Sequence, residues 1–325
     1  MLLLDGREME DLLDVRRAIH EVRRAHEEQA RGQVQMPPRQ TTDTQDGQNW
    51  LRISQAFLNG SGYMGFKAMN RAAGIGMRYM IGLYRIDTGE LLSLMDANWV
   101  TTRRTAATNA LGTDLLAPRE ERTVGIIGSG VQARAFLEAY ATLRDLERVC
   151  VFSPRPESRA DFAAAMGSRL GLTIHALDSA AAVANECSTV VLAMRAPRAP
   201  VYEAAWLRPG VHVTGLSSVR PEAREVEDRV WSQSDLVVVD DRVTVFHSGD
   251  GRSAVTAGIV PDDLPELFEL VAGKVGRAGN GDVTMFKSAG NAMQDIAVAV
   301  GAYHLAKEGG AGREIPDFPE IKTYA

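Results

Sequence analysis

At 325 residues the chain is long enough for two domains, or one large one, around a substantial core. Hydrophobic residues make up 45% and charged residues 24%, an ordinary globular profile, and the formal charge of -6 argues against a nucleic-acid partner, which usually meets a basic stripe. No apolar run reaches the roughly 18 residues of a membrane span, and the start, MLLLDGREMEDLLD, lacks the basic region of a secretory signal. The only cysteines, Cys150 and Cys187, lie in or beside apolar stretches with no second pair to make a zinc site. The expectation is a cytoplasmic protein with two buried, reduced thiols, no membrane contact and no catalytic metal.

In residues 11–31, apolar Leu12, Val15, Ile19 and Val22 recur among charges, which predicts an amphipathic helix. The stretch QMPPRQTTDTQDGQN that follows is rich in Pro, Gly and polar residues and is expected to break regular structure. LRISQAF, GYMGFKAM, RYMIGLYRID and ELLSLMDA have the composition of short strands, the last two joined by an Asp-Thr-Gly hairpin turn. The helical segment TTRRTAATNALGTDLL ends before Pro118. This first block is predicted to be α+β. The methionines of MGFKAMNRAAGIGMRYM suit irregular gaps, so core packing is their default role, with a dimer barrel or a pocket lining as the alternatives.

From Thr123 the pattern changes. The apolar runs TVGIIG, RVCVFS, LTIHAL, STVVLAM, GVHVTGL and DLVVVDD alternate with helical stretches such as ESRADFAAAMGSRL and DSAAAVANE. Such alternation predicts a parallel sheet covered on both faces. The fold class is therefore α/β, a Rossmann-type doubly wound parallel sheet plus a second α+β domain. Residues 1–118 with 300–325 are expected to form the substrate-binding and dimerisation domain, and 119–299 the dinucleotide-binding domain. The tail MFKSAGNAMQDIAVAVGAYHLAKEG is predicted to be one long amphipathic helix.

GSGVQA lies at the first strand–turn–helix of the doubly wound part, where its spacing acquires a mechanism. Gly128 permits the sharp turn, Gly130 lets the backbone approach a pyrophosphate, and Ala133 lets helix and strand pack closely. The helix start offers amide donors and a positive dipole end. Gly128, Ser129, Gly130, Val131 and Gln132 are thus candidate cofactor contacts. At the end of the second strand, VFSPRPESR, no acid is present to take the ribose hydroxyl of NAD; Ser153 and Arg155 stand there, with Arg159 further on. A hydroxyl and guanidinium groups suit a 2′-phosphate, so NADP(H) is expected, with NAD(H) possible.

Almost end to end, the chain resembles the ornithine cyclodeaminase/mu-crystallin family. The resemblance is carried by MPPR, GFK, TGELLSLMDANWVTTRRTAA, GIIGSGVQA, RPEAREV and TMFKSAGNAMQD. It implies nicotinamide-dependent interconversion of amino acids with imines or oxo acids, reduction of cyclic ketimines or cyclisation of ornithine, in a homodimer. By position it makes Arg39, Lys67 and Arg104 substrate-binding, and it adds Thr105, Leu216 and Ser288 as cofactor contacts, Ser288 ahead of its neighbour Lys287. A planar guanidinium grips a carboxylate through parallel hydrogen bonds. Arg103 and Arg104 lie about 100° apart around a helix, so only one can face a pocket. Lys67, in a partly buried cationic pocket, would have a lowered pKa and could relay a proton to an imine nitrogen or carbonyl oxygen. Asp295, at a helix start, is the second catalytic candidate, placed to orient Lys67 or the cofactor. His247, in the polar loop expected at VFHSGDGRSA, is a weaker acid–base candidate.

One departure bears on the activity. Cyclodeaminase-like members carry an aspartate after the fifth Rossmann strand to handle the substrate amine, and Val219 falls there in GLSSVRPEAREV. A valine can neither accept a proton nor pair with an ammonium group. The pattern therefore favours an NAD(P)H-dependent reductase of a small α-imino acid. An amino-acid dehydrogenase resembling alanine dehydrogenase, an ornithine cyclodeaminase and a non-enzymatic binder of NADPH or a small ligand are the alternatives. The side chain of the substrate depends on residues such as Arg52, Arg78 and Trp99; an inward Arg52 or Arg78 would favour a second carboxylate.

Overall fold

The computed structural model describes residues 1–195, 197–216 and 220–322; Val219 lies outside them. Leu2–Leu4 (β1) is a largely buried strand, and the helices Gly6–Leu12 (α1) and Val15–Ala30 (α2) follow. The helix expected over 11–31 begins only at Val15 because Asp14 caps it, accepting from the Arg17 amide at 2.7 Å. The stretch expected to break regular structure instead begins at the end of Val34–Gln35 (β2) and carries Gln40–Asp43 (β3). Both pair antiparallel with Trp50–Leu58 (β4), whose backbone groups supply the partners that the polar side chains of the stretch do not advertise. Tyr63–Ala72 (β5), Gly76–Arg85 (β6) and Leu91–Asp96 (β7) continue an antiparallel meander, with Gly89 (φ 69°) in the turn between the last two. The helix Asn98–Leu116 (α3) follows.

The second half begins with Thr123–Ile127 (β8), Val131–Tyr140 (α4), Arg148–Phe152 (β9), Pro156–Leu170 (α5) and Ile174–Ala176 (β10). Ala180–Glu186 (α6), Thr189–Leu192 (β11) and His212–Leu216 (β12) come next, then Asp228–Ser232 (α7) and Leu236–Val239 (β13). Three short helices, Arg242–Phe246 (α8), Gly249–Thr256 (α9) and Leu267–Val271 (α10), precede Thr284–Ser288 (β14). The chain finishes with Ala292–Gly309 (α11) and Arg313–Glu314 (β15).

Two compact units result, Met1–Arg104 with Asn291–Ala325, and Thr105–Gly290. The divisions fall earlier than the sequence boundaries at 118/119 and 299/300. Pro118 marks the end of α3, but the first turns of that helix belong to the first unit. All of α11 belongs there too, packed on α2 and on β4, β5 and β6.

In the first unit the sheet order is β15-β1-β7-β6-β5-β4-β2, with β3 also on β4. Gly65 on β5 sets how closely α11 approaches: a Cβ there would stand 2.9 Å from Ile296 Cδ1 and 2.6 Å from the Gly82 carbonyl. The face of β5 that holds Gly65 and Lys67 is thus the helix-covered one.

In the second unit all strands run parallel in the order β10-β9-β8-β11-β12-β14-β13. The order reverses at β8 and β11, where a doubly wound sheet opens a crevice for ligands. β14 corrects the sequence reading of the tail. Thr284–Ser288 is a fully buried strand between β12 and β13, and α11 starts only at Ala292 and is buried around most of its surface rather than amphipathic. Lys287 disguised the strand, since lysine is rarely buried. Its ammonium lies 2.5 Å from Glu225 Oε2 and 2.6 Å from Asp250 Oδ2, all three residues being almost inaccessible to water. Lys287→Met would remove the buried cation that Glu225 and Asp250 share, leaving Asp250 with Arg224 at 3.4 Å, so urea unfolding should show a loss of about 3–5 kcal/mol; a loss below about 1 kcal/mol would contradict this role for the cluster.

Candidate active site

Lys67 on β5, Arg104 on α3 and Asp295 in the first turn of α11 meet inside the first unit. The Lys67 ammonium lies 2.5 Å from Asp295 Oδ2, and Arg104 Nε donates to Asp295 Oδ1 at 2.9 Å. Each carboxylate oxygen therefore serves one cation. Local chemistry holds Asp295 in place. Asn291 caps α11, accepting from the Gln294 amide at 3.1 Å, and Gln294 Oε1 returns to the Asn291 amide at 3.4 Å, a reciprocal capping box. The same Gln294 oxygen accepts from Arg104 Nη1 at 3.4 Å, and the helix start favours the Asp295 charge.

All three charged residues are at least 92% buried by relative accessibility, with Arg104 at 8%, Lys67 at 5% and Asp295 at 2% exposure. Burial pulls the Lys67 pKa down, Asp295 resists this, and Arg104 and then Arg39 add to the lowering, for a value of about 8. Burial alone would raise the Asp295 carboxyl, but Arg104 and Lys67 outweigh it and hold it below the usual range. The result is an ionised aspartate bound to a lysine poised near neutral pH.

Arg39 is half-buried and sits one residue before β3, where the Gln40–Ile53 register sets it opposite Ser54, the partner of Lys67. Arg39 thus adds a further positive charge near Lys67. Arg103, its neighbour's rival, faces elsewhere, donating to the Leu13 carbonyl at 3.0 Å and lying over the Trp99 ring. Sequence reasoning missed Tyr79 of β6, whose pKa is raised by burial and by Asp295 against Arg104. It missed Gln294 and Asn291 as well, although Asn-x-x-Gln before an apolar run is a legible helix-start signal. Asn291 Nδ2 is buried and finds no acceptor among the described residues.

The glycine turn lies in the second unit, between β8 and α4. Gly128 has φ 125°, and a Cβ on it would stand 2.3 Å from the Ala193 carbonyl oxygen. Gly130, the N-cap of α4, has no side-chain cap, and a Cβ there would meet nothing within 4 Å. Val131 is 65% exposed and Gln132 Oε1 is buried without a partner among the described residues. Open space, uncapped amides and an orphaned acceptor at a strand-order reversal fit a bound dinucleotide. Ser129 Oγ donates to Ser153 Oγ at 3.0 Å, joining the turn to the end of β9. Arg155 is exposed at the start of α5, whereas Arg159 is committed to Asp178 at 2.5 Å and to the Ser153 carbonyl. Leu216 closes β12, and Thr105, the first residue of this unit, is half-buried on α3.

Ser288 ends β14 with its hydroxyl donating to Asp240 Oδ2 at 2.9 Å; Asp240 also takes the Ala289 and Gly290 amides. His247 is not in an open loop: it caps α8, and its Nδ1 pairs with the Val243 carbonyl. Met77 and Met80 are 46% and 41% exposed, so the methionine run is not core throughout. No cluster of metal-ligating residues occurs among the described residues.

The profile of the ornithine cyclodeaminase/mu-crystallin family matches residues 2–310. The chain belongs to that family. It is 31% identical to an alanine dehydrogenase of Archaeoglobus fulgidus over 326 residues, 98% of each chain. Among solved structures, the Thermococcus litoralis Δ1-pyrroline-2-carboxylate reductase in complex with NADH and L-proline superposes with a TM-score of 0.90 at 30% identity, covering 97% of this chain and 100% of that one. An archaeal alanine dehydrogenase dimer with bound NAD gives 0.90 at 29% identity, covering 98% and 99%.

The electrostatics of the cluster can be read directly. Lysine-selective isotope labelling and NMR should place the Lys67 pKa near 8, and Arg104→Met, by removing a cation that lowers it, should move it upward. A value near that of an ordinary lysine in both proteins would contradict the arrangement.

Proposed function

We propose that the protein is an NAD(P)H-dependent reductase that converts the C=N bond of a small α-imino acid into the CH–NH of the amino acid. The observation that carries this reading is the buried Lys67–Asp295–Arg104 cluster with Arg39 beside it, an excess of positive charge around a proton-bearing amine. Arg104 and Arg39 hold the substrate carboxylate, with Asn291 Nδ2 as a further donor. Lys67, in its ammonium form below about pH 8, gives a proton to the imine nitrogen and regains one from solvent. Asp295 fixes the position of Lys67 and stays ionised throughout. The reduced nicotinamide, when bound, supplies the hydride. Ornithine cyclodeamination lacks support, because valine occupies position 219 where the resemblance calls for a proton-accepting aspartate.

The likeness to the A. fulgidus alanine dehydrogenase favours a second reading, an amino-acid dehydrogenase that also forms the imine from ammonia and an oxo acid. For the cofactor, Ser153 and the exposed Arg155, with no acid closing β9, support a preference for NADP(H) over NAD(H). A homodimer is supported by the face of the first unit's sheet away from Lys67, where Leu51 and Met80 are 50% and 41% exposed. The two buried free thiols fit the reducing conditions of the cytoplasm, and no described helix is long and apolar enough to cross a membrane.

The test is oxidation of NADPH and NADH with preformed cyclic ketimines and with α-oxo acids, each with and without ammonia. Turnover of preformed imines without ammonia is expected, with Lys67→Met lowering kcat by about 100- to 10,000-fold. Turnover only with ammonia would move the assignment to the dehydrogenase, and binding of the cofactor without turnover of any substrate would contradict both.

A further inference from the structure

A cavity of about 390 Å³ lies inside the first unit, apart from the charged cluster. One face of α2 supplies Glu21, Ala25 and Glu28 to its wall, α11 supplies Val300 and His304, and the turn from β4 to β5 completes it. Tyr63 also lines it, and Tyr63, Gly65 and Lys67 share one face of β5. At about 3.3 Å per residue, the cavity stands roughly 13 Å along that strand from Lys67. It lies at the other end of the seam that Gly65 closes against α11. Its volume suits a small organic ligand.

Two carboxylates of α2 set its chemistry. Glu21 is only 4% exposed, and its Oε1 meets Arg17 Nε at 2.6 Å. Its Oε2 accepts no hydrogen bond among the described residues and has only Arg24 Nη1, at 3.6 Å, on a side chain that is 55% exposed and screened by solvent. Glu28 is buried as well. Its Oε1 accepts from the Gly60 and Ser61 amides at 2.7 and 3.2 Å, and its Oε2 from the Ser61 hydroxyl at 3.0 Å. Those donors are neutral, and no described cation lies within ion-pair distance of Glu28. A buried carboxylate without a cation, beside another with an unfilled oxygen, is costly unless a cation enters the cavity. The two acids stand seven residues apart on one helix face, about 10.5 Å along its axis, with Ala25 between them. No metal-ligating cluster occurs among the described residues, so one metal ion does not answer both acids.

We propose that this cavity binds a short aliphatic diammonium ion, with one end on Glu21 Oε2, the other on Glu28, and the methylene chain over Ala25 and Val300. A four- or five-carbon chain with a charge-assisted hydrogen bond of about 2.8 Å at each end spans the offset between the acids. The positive excess around Lys67 repels such a cation from the substrate site, so the two sites take ligands of opposite charge. The proposal stands independently of the imine-reductase reading.

Titration calorimetry of the full chain with 1,4-diaminobutane, 1,5-diaminopentane, n-butylamine and 1-butanol tests this. At least one diamine should bind the wild-type protein about 10-fold or more tightly than n-butylamine does, and 1-butanol should give no signal. Glu21→Gln and Glu28→Gln should each weaken that diamine by about 10-fold or more, to the level of n-butylamine. Lys67→Met should bind it as the wild type does, which separates this site from the substrate site even if no imine is turned over. Val300→Phe fills the cavity without removing a charge and should abolish binding; it carries the test if loss of either acid prevents folding. No binding of either diamine, equal binding of diamine and n-butylamine, or diamine binding that survives these cavity substitutions would overturn the proposal, as would its loss in Lys67→Met.

Discussion

The carboxylate of Asp295 is the constraint on which the rest of the first unit depends. It is shared between a lysine and an arginine, out of contact with water, and each oxygen has one cationic partner. Removing ions from water is costly, and only good geometry recovers that cost. The fold provides it from three directions: a capped helix start for the acid, a strand for the lysine and a second helix for the arginine. Gly65 lets α11 come close enough to β5 for the acid and the lysine to meet, which gives the glycine of the Gly-Phe-Lys motif a physical reason. A cluster with more cations than anions, held rigidly and away from solvent, is prepared for an anionic ligand.

The second unit is organised around a different economy of space. Gly128 sits against the Ala193 carbonyl while Gly130 faces open space, so the two glycines of one turn answer separate demands: close packing behind, and access for a ligand in front. On β14, beside the edge strand β13, the Lys287–Glu225–Asp250 cluster lets a charged side chain occupy a fully buried strand. Asp240 takes the hydroxyl of Ser288 and the amides of Ala289 and Gly290, and so anchors the segment that ends just before the cap of α11.

Much of this was legible in the sequence because its signals are local. The six apolar runs after Thr123 gave a parallel sheet, and the spacing of GSGVQA gave the turn, since period and glycine placement act within a few residues. The seventh strand was hidden because its Lys287 is neutralised by residues 62 and 37 positions away, which no local pattern reports. Strands β2 and β3 were hidden for a similar reason, their order coming from pairing with β4. Lys67, Arg104 and Asp295 could be named from motifs, but their convergence on one carboxylate required the register of β5 and the packing of α11. Tyr79 could not be found at all without knowing which face of β6 it shares.

The claim that Asp295 sets the working pKa of Lys67 is tested most directly by the pH dependence of kcat/KM for imine reduction, measured in parallel for the wild-type protein and Asp295→Asn. In the proposed mechanism Lys67 donates its proton only as the ammonium, so the rate should be full at lower pH and decline as pH rises through about 8. Asp295 favours the ammonium form, and its replacement should therefore shift the decline to lower pH. A decline that stays where it was, or moves to higher pH, would contradict the account.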